Sequence, residues 1–189
     1  MRIIAGTHKG RVLQSPTWDG LRPTSDRLRE TLFNVLGPEV EQARLLDVCA
    51  GTGAIALEAL SRGAASATCL ESDARSVALI AANAAHCGLE KRCIIVHGMA
   101  PDALTGARLG GPFDLIVLDP PYAAPWLEEA VRRAAVLLGP GGRLALEHAS
   151  KRAAPEVVGL VLERTRRAGD SALSTYRAVT VNGRGAQHS

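Results

Sequence analysis

Residues Asp119-Pro120-Pro121-Tyr122 follow the apolar run Phe113 to Leu118 and join a carboxylate, a rigid turn and an aromatic ring. Two successive prolines remove two backbone donors and fix two φ angles, so the turn is stiff and its carbonyls face outward. The residue before each proline is held extended. Asp119 and the carbonyls can accept hydrogen bonds from a planar NH2 group while Tyr122 stacks on the ring that carries it. Methylation of an exocyclic base amine requires such a cup. A match of four residues also fits a plain proline turn that closes a strand, with Tyr122 as its wall.

A second motif lies upstream. Leu45-Leu46-Asp47-Val48-Cys49-Ala50-Gly51-Thr52-Gly53-Ala54-Ile55 reads as strand, glycine turn and helix. Gly51 and Gly53 allow positive φ and close approach of a ligand to the backbone. The helix that starts near Gly53 offers free N–H groups and a positive dipole end to a carboxylate or phosphate. Further along, Glu71, with Ser72 beside it, closes the apolar stretch Ala67 to Leu70. An acid there suits a bidentate grip on ribose hydroxyls. Gly51-x-Gly53-x-x-Ala56 also satisfies the dinucleotide fingerprint, so a nicotinamide-type oxidoreductase is the alternative. Asp47 favours a different ligand, because it can hold an ammonium group but repels a pyrophosphate. S-adenosyl-L-methionine carries the ammonium, carboxylate and ribose that Asp47, the Ala50–Gly53 turn and Glu71 would match.

These residues need a scaffold. Strands are expected near 44–49, 67–70, 92–97, 113–118 and 143–148, with helices near 53–63, 73–87 and 125–138 and a short one after Met99. Asp73 caps the second of these helices, Gly88 closes it, and the 139–142 Gly-Pro-Gly-Gly run stops the last. Alternation of helices with continuous apolar strands implies a parallel sheet covered on both faces. Residues 160–167 and 172–181, joined by Ala168-Gly169-Asp170-Ser171, read as a hairpin that gives the sheet an antiparallel edge. Upstream, Arg2 to Ala5 and Arg11 to Gln14 flank Gly6-Thr7-His8-Lys9-Gly10 as a small β-hairpin with a basic tip. Thr24 or Ser25 starts a helix that runs to Leu36 and ends at Gly37-Pro38. The expected organisation is a hairpin extension over 1–20, one catalytic domain over 21–181 and a frayed tail over 182–189. In such a sheet, ligands bind beyond the carboxyl ends of the strands. Asp47, Glu71, Met99 and Asp119 all fall there, so both motifs converge on one cleft.

Composition narrows the class. The 189 residues suit one domain, and the net charge of +3 is by itself too small to imply a nucleic-acid partner. Its distribution says more. Residues 1–30 hold six Lys/Arg (Arg2, Lys9, Arg11, Arg22, Arg27, Arg29) against three acids (Asp19, Asp26, Glu30), a balance of +3. Such a segment beside a base-methylating cup would supply phosphate contacts, although a solvated helix face also accounts for part of it. Among the few aromatics, Trp126 reads as packing at the start of a helix. Cys49, Cys69, Cys87 and Cys93 form no C-x-x-C pair and read as reduced thiols of a cytoplasmic protein, neither a metal site nor a disulfide framework. No apolar stretch approaches the roughly 20 residues of a membrane span, and nothing demands more than a monomer.

The chain closely resembles the bacterial RsmD-type 16S ribosomal RNA guanine-N2 methyltransferases. The resemblance rests on Arg2-Ile3-Ile4-Ala5-Gly6 with Lys9-Gly10-Arg11, on Leu21-Arg22-Pro23-Thr24-Ser25-Asp26-Arg27-Leu28-Arg29-Glu30-Thr31-Leu32-Phe33-Asn34, and on the two motifs above. It implies a class I methyltransferase (Rossmann-like) fold with a mostly parallel seven-stranded sheet. It implies S-adenosylmethionine over the Gly51–Gly53 turn, Glu71 on its ribose, and Asp119 to Tyr122 at the target amine of 16S rRNA, naked or in an assembling small subunit. Arg22, Pro23 and Thr24 would lie near the methionine end of the cofactor, and Arg2, Lys9, Arg11 and Arg27 on RNA. Methyltransferases often carry an acid after the third strand to read adenine. His97-Gly98-Met99-Ala100 has none and Asp102 falls late, so backbone around Met99 and Ala100 is expected to serve. Adenine-amine DNA or RNA methyltransferases share the cup and remain an alternative, as does a glutamine-amide methyltransferase.

Overall fold

The structure, a computed structural model, describes residues 1–18 and 26–179. The expected roles of Arg22, Pro23 and Thr24, the Thr24/Ser25 cap and the 182–189 tail lie outside the described residues.

Helix α1 (Asp26–Leu36) precedes an alternating series: β1 (Arg44–Val48), α2 (Ala54–Ser61), β2 (Ser66–Glu71), α3 (Ala74–Cys87), β3 (Cys93–His97), the short α4 (Gly106–Leu109), β4 (Phe113–Leu118), α5 (Leu127–Val136) and β5 (Leu138–Ala149). A hairpin of β6 (Leu160–Ala168) and β7 (Ser171–Ala178) completes the sheet. Its order is β3-β2-β1-β4-β5-β7-β6, parallel through β5. The antiparallel edge comes from the hairpin, with β7 between β5 and the outermost β6. Because strand side chains alternate, each strand feeds two cores. Leu45, Leu115, Val117 and Ala145 pack under α1, α2 and α3. Leu46, Ile116, Leu118, Leu144 and Leu146 pack against α5 through Leu127, Val131 and Ala134.

Two boundaries differ from expectation. Helix α5 is shorter than expected, and β5 already begins at Leu138. Phe113 pairs with Leu138 but Leu115 pairs with Arg143, so residues 139–142 bulge out of the ladder. The glycines and proline therefore loop a strand as well as ending a helix.

The N-terminal hairpin closes on three backbone hydrogen bonds, Ile3 N–H to Arg11 O at 2.9 Å, Gly10 N–H to Ile3 O at 2.9 Å and Leu13 N–H to Met1 O at 3.0 Å, around an antiparallel bridge of Arg2 with Val12. The outer edge of Ile4 and Ala5 is taken by a carboxylate instead of a strand. Their N–H groups donate to Glu58 of α2 at 2.7 and 3.0 Å. Glu58 is fully buried on a helix with no exposed residue, and Arg62 Nε donates to it at 2.7 Å. Arg29 of α1, also fully buried, lies 3.9 Å from the same carboxylate and donates to Arg2 O at 2.8 Å. The arm's turn then presses on the end of α2. Gly6 has φ +82°, and a Cβ there would stand 1.9 Å from Ser61 O. Only glycine fits so close an approach.

Candidate active site

The glycine turn is built by its neighbours. Cys49 leaves β1 with φ 65°, and the N–H groups of Cys49 and Ala50 both donate to Leu70 O, at 3.0 and 3.2 Å. Gly53, with φ 76°, caps α2; a Cβ there would lie 3.0 Å from Ile80 Cγ2 of α3. Glu71 joins this turn to the next. Gly51 N–H donates to Glu71 Oε2 at 2.8 Å, while the N–H groups of Ser72 and Asp73 donate to Oε1 at 2.7 and 2.9 Å. Oε2 takes a single N–H and keeps acceptor capacity for hydroxyls.

Beyond these carboxyl ends lies a cavity of about 680 Å³. One end is lined by Ala50, Gly51, Thr52, Glu71, Ser72, Met99 and Ala100, the other by Asp119, Pro120, Pro121 and Tyr122. The structure thus brings most of the expected cofactor residues and the whole expected cup together. Ser76 Oγ on the same wall is buried and without a hydrogen-bond partner among the described residues, so the surface offers hydroxyl and amide donors and an acid to a nucleoside and amino-acid group. These residues fit S-adenosylmethionine.

Asp47 and Gly53 stand behind the wall, not on it. The alternation that points Leu45 under α2 points Asp47 there too. Its Oδ2 accepts from Ala56 N–H at 3.2 Å, and its Oδ1 has no partner among the described residues. The expected direct grip of Asp47 on an ammonium is corrected accordingly: the carboxyl braces the start of α2. Burial pushes its pKa up to about 7, with a further push from Glu71. Asp102 pairs with Arg133 at 3.4 Å on the surface, away from the wall.

In the cup, Tyr122 is held by its hydroxyl. It donates to Glu147 Oε1 at 3.0 Å and contacts Ser171 Oγ, which itself donates to Oε1 at 3.1 Å. Glu147 and Ser171 line the cavity and were not singled out from sequence, nor were Leu28, Arg75 and Ser76. Trp126 caps α5 and packs on the second core while also lining the cavity. Trp18 lines it too, its ring 5.1 Å from the Arg75 guanidinium carbon. Cys49 faces three acids. Burial, then Glu71, Asp119 and Asp47, pushes its thiol up to about 12.

The arm reaches this site through one side chain. Asn83 of α3, fully buried, accepts from Gln14 N–H at 2.8 Å and donates to Gln14 O at 3.2 Å and Thr52 O at 3.1 Å. It clamps the arm to the glycine turn. The arm's basic tip lies elsewhere. Arg11 donates to His86 O at 3.0 Å and His8 N–H to Ser61 Oγ at 2.9 Å, so Lys9 and Arg11 sit at the C-terminal ends of α2 and α3. That is roughly 20 Å, the length of α3, from the turn. Within the basic segment, Lys9 and Arg11 therefore lie away from the cup, anchored through Ser61 and His86. Arg2 and Arg27 are exposed, and Arg27 adjoins the cavity residue Leu28.

The sheet order, the glycine turn braced by an acid at the next strand end, and the Asp-Pro-Pro-Tyr cup in the same cavity define a class I S-adenosylmethionine-dependent methyltransferase. A family model described as "Conserved hypothetical protein 95" matches residues 1–177. The chain is 45% identical over 148 residues to ribosomal RNA small subunit methyltransferase D of Escherichia coli K12, covering 78% of this chain and 71% of the relative. It is 32% identical over 181 residues to the putative rRNA methyltransferase YlbH of Bacillus subtilis, covering 94% and 98%. A solved putative methyltransferase, yhhF from Escherichia coli, superposes with a TM-score of 0.84 at 36% identity, covering 95% and 98%. The chain belongs to this family, that of the RsmD-type methyltransferases. The dinucleotide oxidoreductase alternative is thereby set aside.

Proposed function

We propose that the chain methylates the exocyclic N2 amine of a guanine in small-subunit 16S ribosomal RNA, acting as a monomer in the cytoplasm. The observation that carries this reading is the opening of the glycine turn and the Asp119–Tyr122 cup into one cavity. The 50–52 turn, Glu71 and Ser72 would hold S-adenosylmethionine, which would supply the methyl group with its sulfonium sulfur as leaving group, and the amine would give up one proton.

The residues of the chain make the amine competent. The N2 lone pair of guanine is delocalised into the ring. Asp119 and the Pro120 carbonyl accept its two N–H bonds and turn the lone pair towards the methyl end of the cavity. Tyr122, fixed through its hydroxyl, stacks on the base plane. Such positioning contributes roughly 7–11 kcal/mol to a reaction of two bound partners. Asp119 offsets the positive charge that develops on nitrogen and is placed to take the released proton. The base must leave its stack or sit in a splayed loop to enter. Cofactor contacts fall to the 50–52 turn, to Glu71 and Ser72, and to the backbone at Met99 and Ala100. Phosphate contacts at the mouth fall to Arg27 and to Arg152 and Arg167. Arg152 donates to Ala124 O just beyond the cup, and Arg167, one residue before the end of β6, pairs with Ala172 next to Ser171. Arg2, Lys9 and Arg11 would meet RNA farther away.

The test is transfer of labelled methyl from S-adenosylmethionine to small subunits and to naked 16S RNA from a methylation-deficient strain, followed by nucleoside analysis. Label in N2-methylguanosine supports the reading, and the better substrate identifies RNA or particle as the target. Label in methyladenosine overturns it.

A further inference from the structure

An Asp-Pro-Pro-Tyr cup grips an amine without distinguishing guanine N2 from adenine N6. A second carboxylate, Glu147, lines the same cavity. Leu118 of β4 and Leu146 of β5 are paired in register, so Asp119 and Glu147 leave neighbouring strands at the same level. Neighbouring strands lie about 5 Å apart. Glu147 lines the cavity yet is only 7% exposed. Its two oxygens have different surroundings. Oε1 receives both the Tyr122 hydroxyl, at 3.0 Å, and the Ser171 hydroxyl, at 3.1 Å. Oε2 accepts no hydrogen bond from the described residues. Oε2 therefore keeps acceptor capacity for a donor on a ligand in the cavity.

We propose that Glu147 is the specificity-determining residue of the base site: its Oε2 accepts the N1–H of guanine while the Asp119 cup holds N2. The assignment rests on the guanine-N2 reading above. Guanine presents N1–H and the N2 amine as adjacent donors on one edge. Adenine presents N1 as an acceptor next to its amine, and Glu147 Oε2 repels it. The tether through Oε1 makes the discrimination coherent with stacking, because the hydroxyl that aims the Tyr122 ring also fixes the carboxylate. Discrimination by a buried polar group that a wrong base leaves unpaired is typically the strongest kind.

The experiment compares two bases that share the N2 amine. Guanine carries N1–H; 2-aminopurine has the same amine but an unprotonated N1. Small subunits are reconstituted with 16S RNA bearing either base at the nucleotide that the wild-type protein labels. The wild type is expected to prefer guanine in kcat/KM by at least tenfold. Glu147→Gln, whose amide can meet an acceptor, is expected to lose roughly 10–100-fold on guanine. It should lose little or nothing on 2-aminopurine, so the preference collapses to within about threefold. Ser171→Ala, which removes one donor to Oε1 and leaves Oε2 in place, should keep the wild-type preference. If Glu147→Gln slows both substrates by the same factor and the preference stands, Glu147 only supports Tyr122 and the assignment is overturned. If the wild type places no label on guanine N2 at all, the parent reading fails first, a result separable from the other.

Discussion

Asn83→Ala probes how the N-terminal arm supports the cofactor end of the cavity. The substitution removes three hydrogen bonds made by one fully buried side chain: Gln14 N–H at 2.8 Å, Gln14 O at 3.2 Å and Thr52 O at 3.1 Å. At roughly 1 kcal/mol net each, the loss is about 3 kcal/mol. A chain of this size loses roughly 2–4 °C of Tm per kcal/mol, so thermal unfolding should fall by about 6–12 °C. Only one of the three bonds reaches the glycine turn. Cofactor affinity should therefore weaken by the equivalent of roughly 1 kcal/mol, about fivefold in Kd. Calorimetry of unfolding and titration with S-adenosylmethionine read the two effects separately. Asn83→Asp keeps the acceptor for Gln14 N–H but turns oxygen towards two carbonyls, and should fall at least as far. A Tm change below about 2 °C would refute the clamp. A full loss of stability with unchanged Kd would refute its coupling to the turn.

Three further outcomes are expected. Glu58→Ala strips the N–H groups of Ile4 and Ala5 and the Arg62 guanidinium of their acceptor and deprives buried Arg29 of a carboxylate neighbour; it should cost roughly 3–5 kcal/mol and open residues 1–18 to limited proteolysis, whereas a resistant arm would contradict this. Asp47 has a folded pKa near 7 against an ordinary 3.8, so the unfolded chain loses this proton first as pH rises. Its contribution to stability is full below about pH 4 and declines up to about pH 7, so the stability of wild type relative to Asp47→Asn in cofactor-free urea unfolding should decline over that window; parallel curves would exclude the shift. Cys49, pushed up to about 12, should react with iodoacetamide at pH 8.5 roughly a thousandfold more slowly than a free peptide thiol, and rapid labelling would show that its carboxylate surroundings are misassigned.

The parts legible in sequence were those that local pattern controls. An apolar run ending in Asp-Pro-Pro-Tyr can only finish a buried strand with a stiff turn, and β4 does so. Glu71 was legible because an acid closing a second apolar run must sit at a strand end facing the first turn. Side-chain direction was less accessible. Asp47 adjoins the glycines in sequence, but the period of two in β1 turns it beneath α2. The seat of the arm's tip was not legible, because charge pattern carries no information about which end of α2 receives it. Glu58 and Asn83 had a usable signal: each is a polar residue set in an apolar run, Leu57-Glu58-Ala59-Leu60 and Ala81-Ala82-Asn83-Ala84, which demands partners from elsewhere in the chain once it is buried. Glu147 had almost none, since Leu146-Glu147-His148 reads as an ordinary strand end until the register with β4 is known.

The central claim is a division of labour within one cavity, with the glycine turn and Glu71 holding the cofactor and the Asp119 cup acting on the amine. Its most direct test is Asp119→Ala, measured for S-adenosylmethionine Kd and for single-turnover methyl transfer to the RNA substrate on the same preparation. The account predicts a rate at least roughly 10²–10³-fold lower, the loss typical of removing one group that stabilises developing charge, with Kd within about threefold of wild type. A Kd that weakens in proportion to the rate, or a rate near that of wild type, would contradict it.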